Sequence, residues 1–471
     1  MSGLPRDARV RLIDAVGADW IRDDPTSLVA YGTDALQKGA PADLVLLPGS
    51  TQEVASIAAL CDHHRIPMVV RGAGTGYTGG AVPLFGGVVI AMDRLNKILE
   101  IDEENLLAVV QPDVITGDLQ DAVEARGLFY PPDPASLRQS SIGGNVAECA
   151  GGPRAFKYGT TKRYVLALEA VLPSGEIIRT GSKAVKNVVG YDLTQLLVGS
   201  EGTLAILTEI TLRLVPKPAA QATLRASFRD VSAAGQGVTA LLAARVVPST
   251  IELIDDASLR AVERHIGRRL APDGTRALLI IEVDGVPAGV AEETTRVAAA
   301  CRQAGAIDVD QAASDVERQI IWEARRQLSY ALRALAPLKI NHDVVVPRGR
   351  LPQLFELVDR IRRDEELLIA CFGHAGDGNI HVNMMIDPAD ERQAARAGAA
   401  QQRLFEGVVA LEGSISGEHG IGFAKAPYLA LELSAEVIAL MKRLKTAFDP
   451  HGVLNPGKIW PPQAAEERRL T

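Results

Sequence analysis

Arg71-Gly72-Ala73-Gly74-Thr75-Gly76-Tyr77-Thr78-Gly79-Gly80 follows the apolar run Pro67-Met68-Val69-Val70, which reads as a strand. Small residues after a strand let backbone N–H groups approach a phosphate closely. Gly74, Gly76 and Gly79 match G-x-G-x-x-G, and Asp93 lies about twenty residues beyond Gly74, so a Rossmann site has to be weighed. That plan requires a helix directly after the loop. Here the chain continues Ala81-Val82-Pro83-Leu84-Phe85-Gly86-Gly87, which breaks any helix, and no Gly-Lys-Ser/Thr of a P-loop is present. Taken alone, the loop reads by default as a glycine-rich turn without a ligand.

Working outward, residues 131–159 form a second loop-rich stretch with Gly143-Gly144 and Gly151-Gly152, and Gly199-Ser200-Glu201-Gly202 is a third. Three such segments suggest a long diphosphate ligand held by backbone donors, with the Ser140 and Ser141 hydroxyls assisting, which points to a flavin. The 43 glycines among 471 residues, about 9% against a usual ~7%, are thus concentrated rather than scattered. Strand–helix–strand patterning covers residues 41–130, with a capping box from Ser50 to Glu53 before Val54, Ile57, Ala58 and Cys61. Residues 164–216 read as strands. Val215-Pro216-Lys217-Pro218 is the expected linker, and beyond it strand and helix patterns alternate.

Composition narrows the function classes. A net charge of −8 argues against general binding to nucleic acid or anionic lipid. No run of about 20 apolar residues is present, and the start, MSGLPRDARVRLID, lacks the apolar core of a secretory signal, so a cytoplasmic protein is expected. Cys61, Cys149, Cys301 and Cys371 are far apart, which excludes a chain-borne iron–sulfur cluster or zinc knuckle.

A second constellation lies at Gly373-His374-Ala375-Gly376-Asp377-Gly378-Asn379-Ile380-His381-Val382-Asn383. In a strand over 379–386, His381 and Asn383 face away from Ile380, Val382 and Met384, and the Gly-Asp-Gly turn can fold His374 back towards His381. Converging imidazoles suit a metal ion. Ser416-Gly417-Glu418-His419-Gly420 offers a third ligand in Glu418, while its neighbour His419, pointing the other way, can face a substrate. Two histidines and a carboxylate also suit a metallohydrolase, which the flavin signals make the weaker reading. Arg325, three residues after Trp322 on a helical stretch, can clamp a carboxylate bidentately, and Lys339 and Ser329 are weaker candidates for the same substrate.

The stretches RGAGTGYTGG, PPDPAS, SIGGNVAECAGG, KYGTT and GSEGTLAILTEITLRLVPKP resemble the FAD-binding domain of the vanillyl-alcohol oxidase superfamily; GHAGDGNIHVN, SISGEHGIG and FDPHGVLNPGK resemble its FAD-linked C-terminal domain. The match covers about residues 40–460 and is most similar to the flavin subunits of bacterial glycolate oxidases and the D-lactate and D-2-hydroxyglutarate dehydrogenases. The resemblance implies an α+β fold: a two-subdomain FAD-binding domain of the PCMH type, and a C-terminal α+β substrate domain with a ferredoxin-like antiparallel sheet. The expected division is an N-terminal helical segment 1–38, an FAD domain 39–217, a substrate and metal domain 218–460, and a tail 461–471.

It further implies FAD held by Arg71, Gly72, Ala73, Gly74, Thr75, Gly76, Gly79 and Gly80, by Pro132, Asp133, Ser136, Ser140, Ser141, Gly143, Gly144 and Asn145, by Ala150, Gly151, Gly152, Tyr158 and Gly159, and by Glu201, Gly202, Ile206 and Asn455. No histidine stands in the first loop, so non-covalent FAD is expected. A divalent ion, zinc or manganese, would sit on His374, His381 and Glu418. His419 would be the base and Arg325 the clamp for the carboxylate, with Ser329, Lys339 and Asn383 completing the substrate site. The implied reaction is oxidation of a D-2-hydroxy acid, with electrons passed to an iron–sulfur subunit, an electron-transfer flavoprotein or a quinone, peripheral membrane docking through a partner, and room for a homodimer. Alternatives are a flavin subunit working only inside a multi-subunit complex, and an oxygen-using oxidase.

Overall fold

The computed structural model describes residues 3–461, so most of the tail expected at 461–471 lies outside the described residues. Packing divides the described residues into two units: those up to 151, 160–217 and those from 418 on in the first, 152–159 and 218–417 in the second.

Among the described residues the first unit holds two larger sheets and a two-stranded pair of Leu128–Phe129 with Val215–Pro216. One orders its strands β1 (Ile21–Arg22), β2 (Leu44–Leu46), β4 (Val88–Ala91) and β3 (Met68–Arg71), with β2, β4 and β3 parallel. Helix α1 (Arg6–Val16) and helix α2 (Thr51–His64) cover it. Helix α2 begins because Ser50 Oγ accepts the Glu53 N–H at 3.2 Å while Glu53 Oε2 accepts the Gly49 N–H at 2.8 Å, satisfying two N-terminal donors. Val54, Ile57, Ala58 and Cys61 are buried, as the helical spacing predicts. The N-terminal segment is more than helical, because β1 pairs with β2.

The second sheet is antiparallel, ordered β5 (Ile98–Asp102), β6 (Leu107–Val110), β9 (Ile206–Arg213), β7 (Val165–Val171) and β8 (Ile177–Gly181). Among the described residues no helix stands between β3 and β4, which removes the Rossmann plan.

The last stretch of chain, from Glu418 on, packs with this unit. Leu454 bridges Met68 at the edge of the first sheet, the Met68 N–H donates to Val453 O at 2.8 Å, and both Val453 and Leu454 sit in the core beneath α2. Lys445 ties the segment down through Thr203 O and Leu454 O, each at 2.7 Å.

The second unit is built on a seven-stranded antiparallel sheet: β13 (Asp308–Gln311), β10 (Ala220–Phe228), β12 (Ala277–Gly285), β11 (Thr250–Asp255), β15 (Leu368–His374), β16 (Asn379–Ile386) and β14 (Leu338–Val345). Helix α3 (Asp315–Arg333) covers one face, burying Ile321, Ala324 and Leu328 with Ile254, Leu278, Ile280 and Phe372. Segment 152–159 joins this unit because Lys157 Nζ reaches Asp284 Oδ1 at 2.5 Å and Tyr158 Oη donates to Asp284 Oδ2 at 2.7 Å.

Candidate functional site

Strand register assembles the polar groups of the second unit. β11, β15, β16 and β14 align Glu252 with His374, His374 with Asn379, His381 with Asp343, and Asn383 with Asn341. Side chains alternate along each strand, so Glu252, His374, Asn379, His381, Asp343, Asn383, Asn341 and Lys339 share one face. Helix α3 lies over that face and brings Trp322, Arg325 and Ser329 to it: Trp322 Nε1 donates to Glu282 Oε2 at 2.7 Å, and Lys339 Nζ donates to Ser329 Oγ at 2.6 Å.

Glu252 is completely buried and ion-paired to two groups. Its Oε2 accepts from Arg325 Nε and its Oε1 pairs with His374 Nδ1. Burial alone would push its carboxyl up, but the charges of Arg325 and His374 outweigh it and hold the group at about 2. Arg325 is 5% exposed, lies 4.8 Å over the Phe372 ring, and among the described residues its two Nη groups donate to no protein acceptor. It is a buried guanidinium with its outer fork unspent. Burial, with Arg333 nearby, pulls the Lys339 ammonium down to about 8.

The two histidines do converge, with ring centroids 5.3 Å apart and planes near perpendicular. Asp343, which the sequence reading left out of the metal set, stands 3.7 Å from His381 Nδ1, accepts from Asn379 Nδ2 at 2.6 Å and accepts the Gly417 N–H at 2.9 Å. Asp343 and His381 present ligand atoms within 4.8 Å of one another, as do Glu418 and His419, the two residues that follow Gly417 in the chain. A carboxylate–imidazole donor set of this kind suits a divalent ion. Asn383 differs from expectation: its amide is spent inside the sheet, donating to Ala370 O and His381 O and accepting from Asn341, whose own Oδ1 has no partner. Glu252, a lone acid within Thr250-Ile251-Glu252-Leu253-Ile254, is likewise outside the sequence reading, because its partners lie far along the chain.

In the first unit the glycine loops surround the 418–423 turn. The N–H groups of Gly74, Thr75 and Gly76 have no protein acceptor among the described residues, and the Ala73 N–H reaches Ser141 Oγ at 3.4 Å. Three adjacent donors left open after a strand fit a diphosphate. Asn455 Oδ1 is a buried polar atom without a partner, a second sign of a missing ligand. Ser140 O accepts from Thr116 Oγ1, which in turn accepts from Asn145 Nδ2 at 2.7 Å, so Asn145 braces the loop. A Cβ on Gly143 would lie 2.6 Å from the Pro112 side chain, and one on Gly151 would lie 2.7 Å from Glu418 Oε2.

Several of the predicted cofactor residues also tie the loops to one another. Glu201 Oε1 and Oε2 accept the N–H groups of Ile421 and Gly422 at 2.8 and 2.6 Å, Asn455 Nδ2 donates to Glu201 O at 2.7 Å, and Ile206 is core. Pro132 O accepts from Gln120 Nε2, and Arg71 Nη1 donates to Thr33 O at 2.6 Å. The same turn carries His419, whose ring stacks on Tyr77 at 5.3 Å and whose carbonyl accepts from Thr78 Oγ1 at 3.0 Å.

These features define a flavin-dependent oxidoreductase, and the chain belongs to the FAD-linked oxidases. Residues 42–181 match the FAD binding domain model and residues 217–459 the model for FAD linked oxidases, C-terminal domain. The chain is 43% identical to the glycolate oxidase subunit GlcD of Bacillus subtilis, covering 97% of both chains. It is 35% identical to a D-lactate dehydrogenase of Anaerostipes hadrus, covering 96% of this chain and 94% of that one. Among solved structures, p-cresol methylhydroxylase with substrate bound superposes with a TM-score of 0.81 at 16% identity, covering 98% of both chains, which shows the fold. Among the described residues no helix is long and apolar enough to cross a membrane.

Proposed function

We propose that this protein oxidises a 2-hydroxy acid, of the class of glycolate, D-lactate or D-2-hydroxyglutarate, to the 2-oxo acid. The observation that carries the reading is Arg325, a buried guanidinium fixed through Nε with its Nη fork left for a carboxylate. The relatives named for glycolate and D-lactate support the substrate class.

The 71–80, 140–152 and 199–202 loops would hold FAD non-covalently, which would supply the hydride acceptor, and a divalent ion, zinc or manganese, would supply Lewis acidity towards the hydroxyl. His374, His381 and Glu418 would hold that ion, with Asp343 added to the set. The Arg325 fork grips the substrate carboxylate, and Lys339, steadied on Ser329, adds positive charge beside it. His419, held on Tyr77, takes the hydroxyl proton on its imidazole as hydride leaves the substrate carbon. A second protein or a quinone would take up the electrons. The subunit name of the glycolate oxidase relative supports a partner polypeptide, and the four cysteines are free and distant in sequence.

Anaerobic mixing of the purified protein with glycolate, D- and L-lactate, D-2-hydroxyglutarate and D-malate tests the reading. Bleaching of the flavin absorbance by one or more of the D- or achiral acids is expected. A yellow protein that none of them bleaches sinks it.

A further inference from the structure

Glu252 has no place in the chemistry just described, yet it is a wholly buried anion in the middle of a sheet. A buried ion pair is poor evidence for stability, because well-packed apolar residues of similar volume serve as well or better. Its geometry has a different consequence. One oxygen is spent on Arg325 Nε and the other on His374 Nδ1, so a single carboxylate addresses two cationic groups at once.

Each bond selects one state of its partner. Arg325, held at Nε and backed by the Phe372 ring, is fixed with its Nη fork turned away from Glu252. His374, facing a carboxylate at Nδ1, carries its proton there, which puts the ring's lone pair on Nε2, as when an outer carboxylate orients a metal-bound imidazole. The register makes both bonds possible, since Glu252 on β11 stands opposite His374 on β15 while α3 lowers Arg325 onto the same face.

We propose that Glu252 is a positioning residue that sets the Arg325 fork and the His374 tautomer together, so that carboxylate binding and metal binding depend on one buried carboxylate. The inference rests on the proposed function for what Arg325 and His374 bind.

The test uses the full-length FAD-loaded protein with Glu252→Gln and Glu252→Asp. The amide of Gln cannot accept from both partners, and Asp is one methylene too short to span them. Zn(II) alone and oxalate alone, as a carboxylate probe, are titrated calorimetrically, with FAD content and thermal midpoint recorded. The expected result is a loss of about 10- to 100-fold in affinity for both probes, the size seen for outer-shell partners of metal ligands, with FAD content retained. Affinities for both within twofold of the unaltered protein overturn the proposal, as does loss of one affinity without the other, or an unaltered protein that binds no Zn(II).

Should both variants fail to fold, the histidine ¹⁵N spectrum of the unaltered protein decides. A His374 signal of the Nδ1–H form supports the proposal, and one of the Nε2–H form overturns it. Because no readout needs turnover, a protein that behaves as expected here but is bleached by no 2-hydroxy acid would refute the proposed substrate class and leave the role of Glu252 standing.

Discussion

His419 and Lys339 separate two residue-scale questions, proton removal and substrate charge. His419 accepts from Thr78 Oγ1 through its main-chain carbonyl, an anchor that a side-chain change leaves in place, so His419→Ala should keep FAD bound. Removing a general base of this type costs about 10²–10⁴-fold; flavin reduction by substrate followed in a stopped-flow instrument should slow by that factor with the bound-flavin spectrum unchanged. Lys339 is expected to impose a pH dependence on binding. Burial has lowered its folded-state value to about 8, so in the free enzyme it is charged below that pH and neutral above it. KM for the 2-hydroxy acid should therefore rise as pH passes upward through about 8, and Lys339→Arg should flatten the rise. The same shift works against stability at low pH: the folded state resists a proton that the unfolded chain accepts, so this penalty is absent above the unfolded value of 10.5 and complete below about 8. Glu252 has the opposite sign, its stabilisation being present above 4.5 and lost as pH falls through about 2.

At the scale of elements, the glycine loops show which glycines are fixed by packing. Gly143 donates its N–H to Pro112 O at 2.7 Å with no room for a methyl beside the proline ring. Gly143→Ala should destabilise the protein by about 1–3 kcal/mol through overpacking, read as a lower thermal midpoint together with weaker FAD retention. Elements governed by neighbours along the chain are legible in the amino-acid sequence. The Ser50–Glu53 cap, the buried Val54, Ile57, Ala58 and Cys61, and the strand Asn379–Ile386 follow from local hydrogen bonding and from periods of 3.6 and 2. His374 and His381 are legible as a pair because a tight turn joins their strands. Glu252 and Asp343 are not, since their partners lie 122 and 38 residues away and only strand register brings them together. Asn383 departs from expectation for the same reason: alternation puts it on the polar face, but pairing with β15 and Asn341 on β14 uses its amide.

Across the whole molecule, residues 418–461 matter to the first unit, contributing Val453 and Leu454 to its core and not merely an appendage. Leu454 is fully buried beside Met68, so Leu454→Ala should cost about 2–5 kcal/mol, seen as a fall in the melting temperature of the FAD-binding unit. The sequence by itself determined the chemistry that is spelled in contiguous motifs: the flavin class, the glycine loops, the paired histidines and the Glu418-His419 turn, because each depends on residues close along the chain. Tertiary structure alone decided which distant segments share a core, that 418–460 completes the first unit, and that Glu252 holds Arg325 and His374. Those outcomes follow from strand pairing and helix packing between segments far apart in sequence, and no local period or motif encodes which of many apolar segments will pair.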